Sequence, residues 1–463
     1  MLNKSHVKQV LVLIAAIVGT AVHAFANTNA YVLTAIITDP LLPADNSFGY
    51  TMGVVGTDKF VITSYERSGL QPGAYLFNSQ GVFITTLTNG AHPFHNRGGL
   101  AVGGLGSDRV ILGAYWNYGP DLSFQVGAAF LVHTNGAMIL SITNPTPAPG
   151  DNFGLNVAGS SNALLIGAHL DDTGASNAGS AYLFDTNGVL LTTFTNSTPL
   201  ANENFGSSLA FLGSNRVLIG AAGESSTITN AGAVYLFNTN GDLLTTMTNP
   251  SPSSEGFGRA LTVVSADKIL IGAPGYDYSV SAPNSGAAYL FSTNGALLLT
   301  FTNPVPAFGD NFGCTMTTVS PEMVLISAPN FGGGSGSAYL FRADGTLLCS
   351  FDDPTPAQND YYGLSTVALG GDKVFLSAQG DGAVYFFTLQ PKAFEVPRLS
   401  LTESNGSIHI SWPVTVDAYQ LFETMTLSPV NWTPVPNAAG TNSSEISVTV
   451  EAAGQRFYRL ERQ

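Results

Sequence analysis

The sequence predicts an all-β fold: a seven-bladed β-propeller closed by an N-terminal strand and followed by a small β-sandwich. Three observations carry that prediction. A block of about fifty residues returns seven times, anchored on Gly49, Gly99, Gly154, Gly206, Gly258, Gly313 and Gly363. Each block holds four short strand candidates, rich in Val, Leu, Ile, Phe, Tyr and Thr and separated by turn residues. The last block stops one strand short, and the missing strand stands at the start of the repeat region. A period near fifty marks a repeat architecture, and four antiparallel strands in a simple meander make one propeller blade.

The block that begins at Asp151 shows the pattern most fully. Its strands are expected at residues 155–158, 163–168, 180–184 and 190–195. Strands three and four are joined by Asp185-Thr186-Asn187-Gly188, Asn238-Thr239-Asn240-Gly241, Ser292-Thr293-Asn294-Gly295 and Arg342-Ala343-Asp344-Gly345. Asn-Gly and Asp-Gly supply the positive φ angles that tight hairpins require. No stretch keeps a 3.6-residue period between helix caps, so almost no helix is expected. In the last block, strands are expected at residues 364–369, 373–378 and 383–388. The absent fourth matches YVLTAIITD at residues 31–39, so the ring closes by pairing its two ends and leaves no open sheet edge.

The chain ends frame this ring. Residues 1–26 read as a signal peptide: Lys4 and Lys8, an apolar run at 10–22, then Ala24-Phe25-Ala26. The apolar run is short of the roughly 20 residues a bilayer span needs. The mature chain is therefore expected to be secreted or at the cell surface, with no transmembrane segment after cleavage. Residues 27–390 are assigned to the propeller and 391–463 to the sandwich. In the tail, Pro391 and Pro397 flank a linker, and strands are expected at 407–412, 418–423, 432–435, 445–450 and 457–461. SIHISWPVTVDAYQLFET resembles the second and third strands of a fibronectin type III module, with Trp412 as core.

Charge narrows the partners. The net charge is −15, or −17 once Lys4 and Lys8 leave, which argues against nucleic acid. Only two cysteines occur, Cys314 and Cys349. The register places them on strands one and four of one sheet, about 14 Å apart at ordinary strand spacing. A disulfide needs Cα atoms within about 7 Å, so both are read as small buried apolar residues.

The blocks resemble FG-GAP repeats, the unit of the integrin α-chain N-terminal propeller and its bacterial relatives. The FG element is Phe48-Gly49, Phe153-Gly154, Phe205-Gly206, Phe257-Gly258 and Phe312-Gly313, and it degrades to Gly98-Gly99 and Tyr362-Gly363. The GAP element is complete at Gly272-Ala273-Pro274, is Gly-Ala at Gly113, Gly167 and Gly220, and is Ser327-Ala328-Pro329 in block six. The resemblance implies Asp-rich calcium loops between strands one and two. Here those turns read Thr57-Asp58-Lys59, Ser107-Asp108-Arg109, Ser214-Asn215-Arg216, Ala266-Asp267-Lys268 and Gly371-Asp372-Lys373. Calcium takes six to eight oxygens, several of them charged. One carboxylate beside a base does not supply them, so neither a metal nor a cofactor is expected.

Candidate sites follow from departures from the repeat. The residue three before each anchoring glycine is Asn46, Asn96, Asp151, Glu203, Glu255, Asp310 or Asp360. These form a polar ring near the channel mouth, either a site for a cation or basic ligand or, more simply, a turn device bonding nearby backbone N–H groups. His92 and His95 lack the convergent partners of a metal centre. The pairs Asp171-Asp172 and Asp352-Asp353 read as solvated loop ends rather than an acid–base couple, which needs separated carboxylates. No catalytic residue is assigned. The 1–2 and 3–4 turns are short and uniform and share one face. The 2–3 and 4–1 loops share the other and vary, the longest 2–3 loops carrying Tyr115, Trp116, Tyr118 and Phe124 in blade two and Tyr276 and Tyr278 in blade five. Variation on one face of a repeat marks the side to search for binding, and aromatics suit carbohydrate or protein surfaces unless they pack onto their own loop bases. The expected function is non-enzymatic recognition or adhesion, with a glycan or protein as ligand. The alternatives are an extracellular carbohydrate-active enzyme with acids at the channel mouth, or a structural surface or matrix component.

Overall fold

The computed structural model describes residues 29–41, 48–65, 73–87, 101–115, 126–225, 230–251, 255–330, 334–391, 400–404, 407–413, 419–424, 433–435, 440–441, 445–451 and 457–462. Seven four-stranded antiparallel sheets follow one another in the chain. In blade three the strands are Val157–Gly159, Ala163–Ala168, Ser180–Asp185 and Leu190–Phe194. In six blades the four strands are consecutive in sequence; in the seventh, Thr366–Leu369, Lys373–Ala378 and Ala383–Pro391 are completed by Asn29–Thr38. The first strand of every blade touches the first strands of both neighbours, and the contacts run unbroken round the ring. The molecule is a seven-bladed β-propeller.

Burial shows why each strand takes its place. Second and third strands are covered on both faces, so they read as continuous apolar runs such as Ala-Leu-Leu-Ile-Gly-Ala (163–168). Fourth strands lie outermost, and Leu190, Leu191, Leu243, Leu244, Leu297 and Leu298 are exposed. The apolar core lies between blades rather than within them. One cluster joins Phe312 of blade six to Ile271's neighbour Leu270 and to Leu290 of blade five; another joins Phe60 and Phe77 of blade one to Phe375 and Phe386 of blade seven.

The hairpins between strands three and four differ from the tight two-residue form. Gly188, Gly241, Gly295 and Gly345 have positive φ, whereas the Asn or Asp before each does not. The register shifts at Leu183/Phe184, Leu236/Phe237, Leu290/Phe291 and Leu340/Phe341. Each turn is therefore a type I turn with a glycine bulge, which adds one residue and one local twist.

The cysteines are free, as their separation requires, but both are half-buried rather than fully covered. Cys314 lies just before the strand Thr315–Ser320, not within it.

Tyr31–Leu389 forms one compact unit and the residues from Gln390 another. The second unit contains one sheet of Ser400–Ser404, Ser407–Pro413, Glu445–Glu451 and Gly440–Thr441, and another of Thr433–Pro434, Tyr419–Thr424 and Phe457–Arg462. Ile410, Trp412 and Val448 of the first meet Leu421 and Val435 in one small core.

Candidate functional site

The repeat motif is itself a mechanical device. The phenylalanine N–H of three FG elements donates to the preceding blade: Phe205 to Ala178 (2.9 Å), Phe257 to Ala231 (3.2 Å) and Phe312 to Ser285 (3.0 Å). The glycine N–H turns the other way and donates to its own blade's GA element: Gly154 to Gly167, Gly258 to Gly272 and Gly313 to Ser327, at 2.8–3.0 Å. The neighbouring blade presses so close that a β-carbon on Gly272 would lie 1.9 Å from the Gly313 carbonyl oxygen. FG and GA together are the stitch between adjacent blades, which explains why the pattern recurs without being a site.

The turns on the uniform face carry a second link. Lys59 pairs with Asp58 (2.9 Å), Arg109 with Asp108 (3.5 Å) and Lys373 with Asp372 (2.9 Å). Lys59 also donates to the Ser107 carbonyl (3.4 Å) and Arg109 to that of Ser161 (3.1 Å), each on the next blade. Lys59 and Arg109 thus bind blade to blade.

On the opposite face, the acid three before each anchoring glycine is buried in blades three to seven. Asp151 accepts from the Asn144 amide (2.7 Å) and the Ala148 N–H (2.8 Å). Asp310 repeats this with Asn303 (2.7 Å) and Ala307 (2.7 Å). Glu203 takes the Asn196 amide (3.0 Å) and Glu255 that of Asn249 (3.1 Å). Asn46 and Asn96 lie outside the described residues. Asp171 and Asp353 are buried as well, which corrects their reading as solvated loop ends; Asp172 and Asp352 beside them are exposed. Asp171 and Asp172 lie in the 2–3 loop of blade three, and Asp353 directly follows the strand Leu347–Asp352. Asp171 accepts from the Tyr182 hydroxyl (2.7 Å).

Burial raises the Asp151 carboxyl to about 6, the charges of Asp171 and Asp172 adding to it against the Ala148 and Asn144 donors. Burial alone raises Asp310 to about 6 against its own two donors. A carboxyl raised in the fold holds its proton more tightly there than in the unfolded chain. Its contribution is present below about pH 4 and is lost as pH climbs through about 6. After allowance for solvent screening, each group should cost roughly 1 kcal/mol over that window. Thermal melts in metal-free buffer should therefore be higher at pH 4.5 than at pH 7.5, by a smaller margin in Asp310→Asn; equal slopes would remove Asp310 from the account.

Where blades five, six and seven meet, this face carries a depression of about 490 Å³. It is lined by Glu255, Arg259, Asn284, Asn311, Asn330, Tyr361 and Gln379, with Cys314 and Leu364 among the others. Every lining residue comes from a 2–3 or 4–1 loop or the residue leading into a first strand. Asn284, Asn311 and Tyr361 hold positive φ, which turns their loops sharply inward. Asn311 and Tyr361 stand just before FG; Arg259, Cys314 and Leu364 stand just after it. Burial pushes the Cys314 thiol up to about 11, which keeps it protonated and a poor nucleophile.

Of the loop aromatics, Tyr278 is 53% exposed, while Tyr276 packs partly against the blade-four and blade-five core. Tyr115 hydrogen-bonds Tyr50, which in turn meets Tyr65 edge-on at 5.6 Å. Trp116, Tyr118 and Phe124 lie outside the described residues. Tyr276 and Tyr278 are not among the residues that line the depression. The sequence signal that would have found the lining is the residue after FG, which runs Tyr50, Leu155, Ser207, Arg259 and Cys314 where FG is clear and is Leu364 after Tyr362-Gly363.

The fold is a seven-bladed propeller whose adjacent blades are stitched through the FG and GA elements. A family model described as "FG-GAP repeat" matches residues 141–184, from the fourth strand of blade two through the third strand of blade three. No curated protein matches the chain. Among solved structures, the chain is similar to "Kuenenia stuttgartiensis Hydrazine Synthase", with 8% identity, a TM-score of 0.52, and coverage of 75% of this chain and 96% of that one. It also matches "The crystal structure of BamB from Moraxella catarrhalis" at 12% identity and a TM-score of 0.40, covering 78% and 98%. At 8% identity the likeness to the first concerns the fold alone.

Proposed function

We propose that this is an exported, non-enzymatic recognition protein that receives a glycan or an extended protein segment in the depression over blades five to seven. Export rests on the character of residues 1–26. The observation that carries the binding reading is the composition of the depression. Four amides, one tyrosine, one arginine and one glutamate converge there from three blades, on loops that vary while the rest of the repeat does not. Amides and a tyrosine ring suit a neutral polar ligand such as a sugar, which offers hydroxyls to bond and a C–H face to stack. The two acids raised to about 6, Asp151 and Asp310, are engaged in loop anchoring, which supports recognition over acid–base chemistry.

The test is a glycan and peptide array probed with residues 27–463. A ligand found there should bind at least ~10-fold more weakly to Arg259→Ala and Tyr361→Ala, with melts unchanged within about 2 °C. Retained affinity in both variants, or loss only in Trp116→Ala, would move the site to blade two.

A further inference from the structure

The loop anchor recurs in five blades, and in the last it changes chemistry. In blades three to six an asparagine amide donates to the buried acid: Asn144 to Asp151, Asn196 to Glu203, Asn249 to Glu255 and Asn303 to Asp310. In blade seven the asparagine is replaced by Asp353. The surroundings are otherwise copied from blade three. Thr146 N–H donates to Asn144 Oδ1 (3.0 Å), and Thr355 N–H donates to Asp353 Oδ1 (2.9 Å). Thr146 Oγ1 meets the Tyr182 hydroxyl (2.7 Å), and Thr355 Oγ1 meets that of Tyr385 (3.0 Å). Tyr182 donates to Asp171, and Tyr385 donates to Asp381, each at 2.7 Å. Asp353 Oδ2 therefore occupies the seat of the amide nitrogen, where a donor to Asp360 is required.

It supplies none. Asp353 is 7% exposed, and its Oδ2 is buried without a hydrogen-bond partner. Asp353, Asp360 and Asp381 each offer a carboxylate oxygen within 4.8 Å of the others. The Tyr362 hydroxyl, fully buried, is also without a partner, and the Asp353 charge helps to push that phenol up after burial. Tyr362 stands where five of the other blades carry phenylalanine, and its ring meets Tyr385 edge-on at 5.4 Å. Among the described residues, the ion pairs lie on the opposite turns, and none reaches this node. Three carboxylates and an orphaned oxygen need a positive charge between them.

We infer that Asp353, Asp360 and Asp381 bind a divalent cation, calcium by preference, which ties the last 4–1 loop to the last 2–3 turn. All ligands are oxygens, as hard cations require. Calcium bonds of 2.3–2.6 Å allow two ligands to stand up to about 5 Å apart, which the observed spacing meets. Thr355 Oγ1 lies 3.2 Å from Asp381 Oδ2 and adds a neutral oxygen to the rim. Calcium tolerates such an irregular set with water completing the shell, whereas magnesium demands a near-ideal octahedron. The site is remote from the 1–2 turns and does not depend on the binding role of the depression.

Terbium luminescence on the mature chain, excited through tyrosine, tests this directly, because Tyr385 and Tyr362 flank the node. Saturable emission displaced by calcium is expected, with a melt raised by about 2–4 °C at millimolar calcium. Asp353→Asn restores the amide of the other blades, so it should fold, lose the emission and the calcium-dependent shift, and melt without calcium at or above the wild type. Asp381→Asn should lose the emission as well. Emission that persists in Asp353→Asn overturns the assignment. So does a wild-type melt indifferent to 10 mM calcium, above all if it falls with rising pH only while Asp353 is present, which would mean a shared proton instead.

Discussion

Removal of residues 31–38 from the mature chain is expected to cost the propeller its closure, seen as a melting temperature lower by at least about 10 °C or as insoluble protein. The strand Asn29–Thr38 is the outer strand of blade seven and pairs with Ala383–Pro391. It reaches both neighbours. Tyr31 packs edge-on against Phe351 of blade six at 5.6 Å and donates from its hydroxyl to the Gly371 carbonyl (2.8 Å). Ile37 is buried in the cluster that holds Phe60 and Phe77 of blade one. Thr34 and Thr388 join their hydroxyls across the pair at 2.6 Å. Deletion would leave Ala383–Pro391 with an open edge of unpaired N–H and C=O groups, the usual template for aggregation. A truncated protein that melts with the wild type would show that closure contributes nothing to stability.

The second large effect is expected at Phe312. Its side chain is 0% exposed and is packed against Tyr339 and Phe341, with ring centroids 6.0 and 6.1 Å away. Its backbone bridges to Gly286 of the preceding blade. Phe312→Ala would leave a cavity at the seam between blades five and six and should cost about 3–5 kcal/mol. Phe308, four residues earlier, is 74% exposed, and Phe308→Ala should change stability by less than about 0.5 kcal/mol. Urea unfolding of the pair measures both. Equal midpoints would mean that the FG phenylalanine is not a structural keystone of the seam.

Much of this was legible in the sequence because a repeat reports its own geometry. The strand Lys373–Ala378 has the predicted bounds, and Asn29–Thr38 lies within two residues of its own. Both followed from register against the other blocks. The four-residue turns after the third strands were placed correctly, but their backbone was not. Asn187-Gly188 resembles a two-residue hairpin in sequence, whereas the bulge at Leu183/Phe184 depends on how strand four pairs.

The candidate sites were less legible. Glu255, Arg259, Asn311, Asn330, Tyr361 and Gln379 are spread over three blocks, and only the closed ring brings them to one depression. Asp353 stands beside Asp352 in an ordinary-looking acidic pair. Its burial and its opposition to Asp360 appear only when the loop is folded against Asp381.

By itself, then, the sequence determined the seven blades, their four-strand order and the strand that closes the ring. Those depend on local periodicity and on copies that can be aligned with one another. The tertiary structure alone decided which acids are buried, which residues share the depression, and where three carboxylates face a missing donor. The physical reason is that burial and charge are set by what lies across a seam. At each seam the neighbour comes from another blade, about fifty residues away in the chain, and at the closing seam Phe60 meets Phe375 from the far end of the repeat.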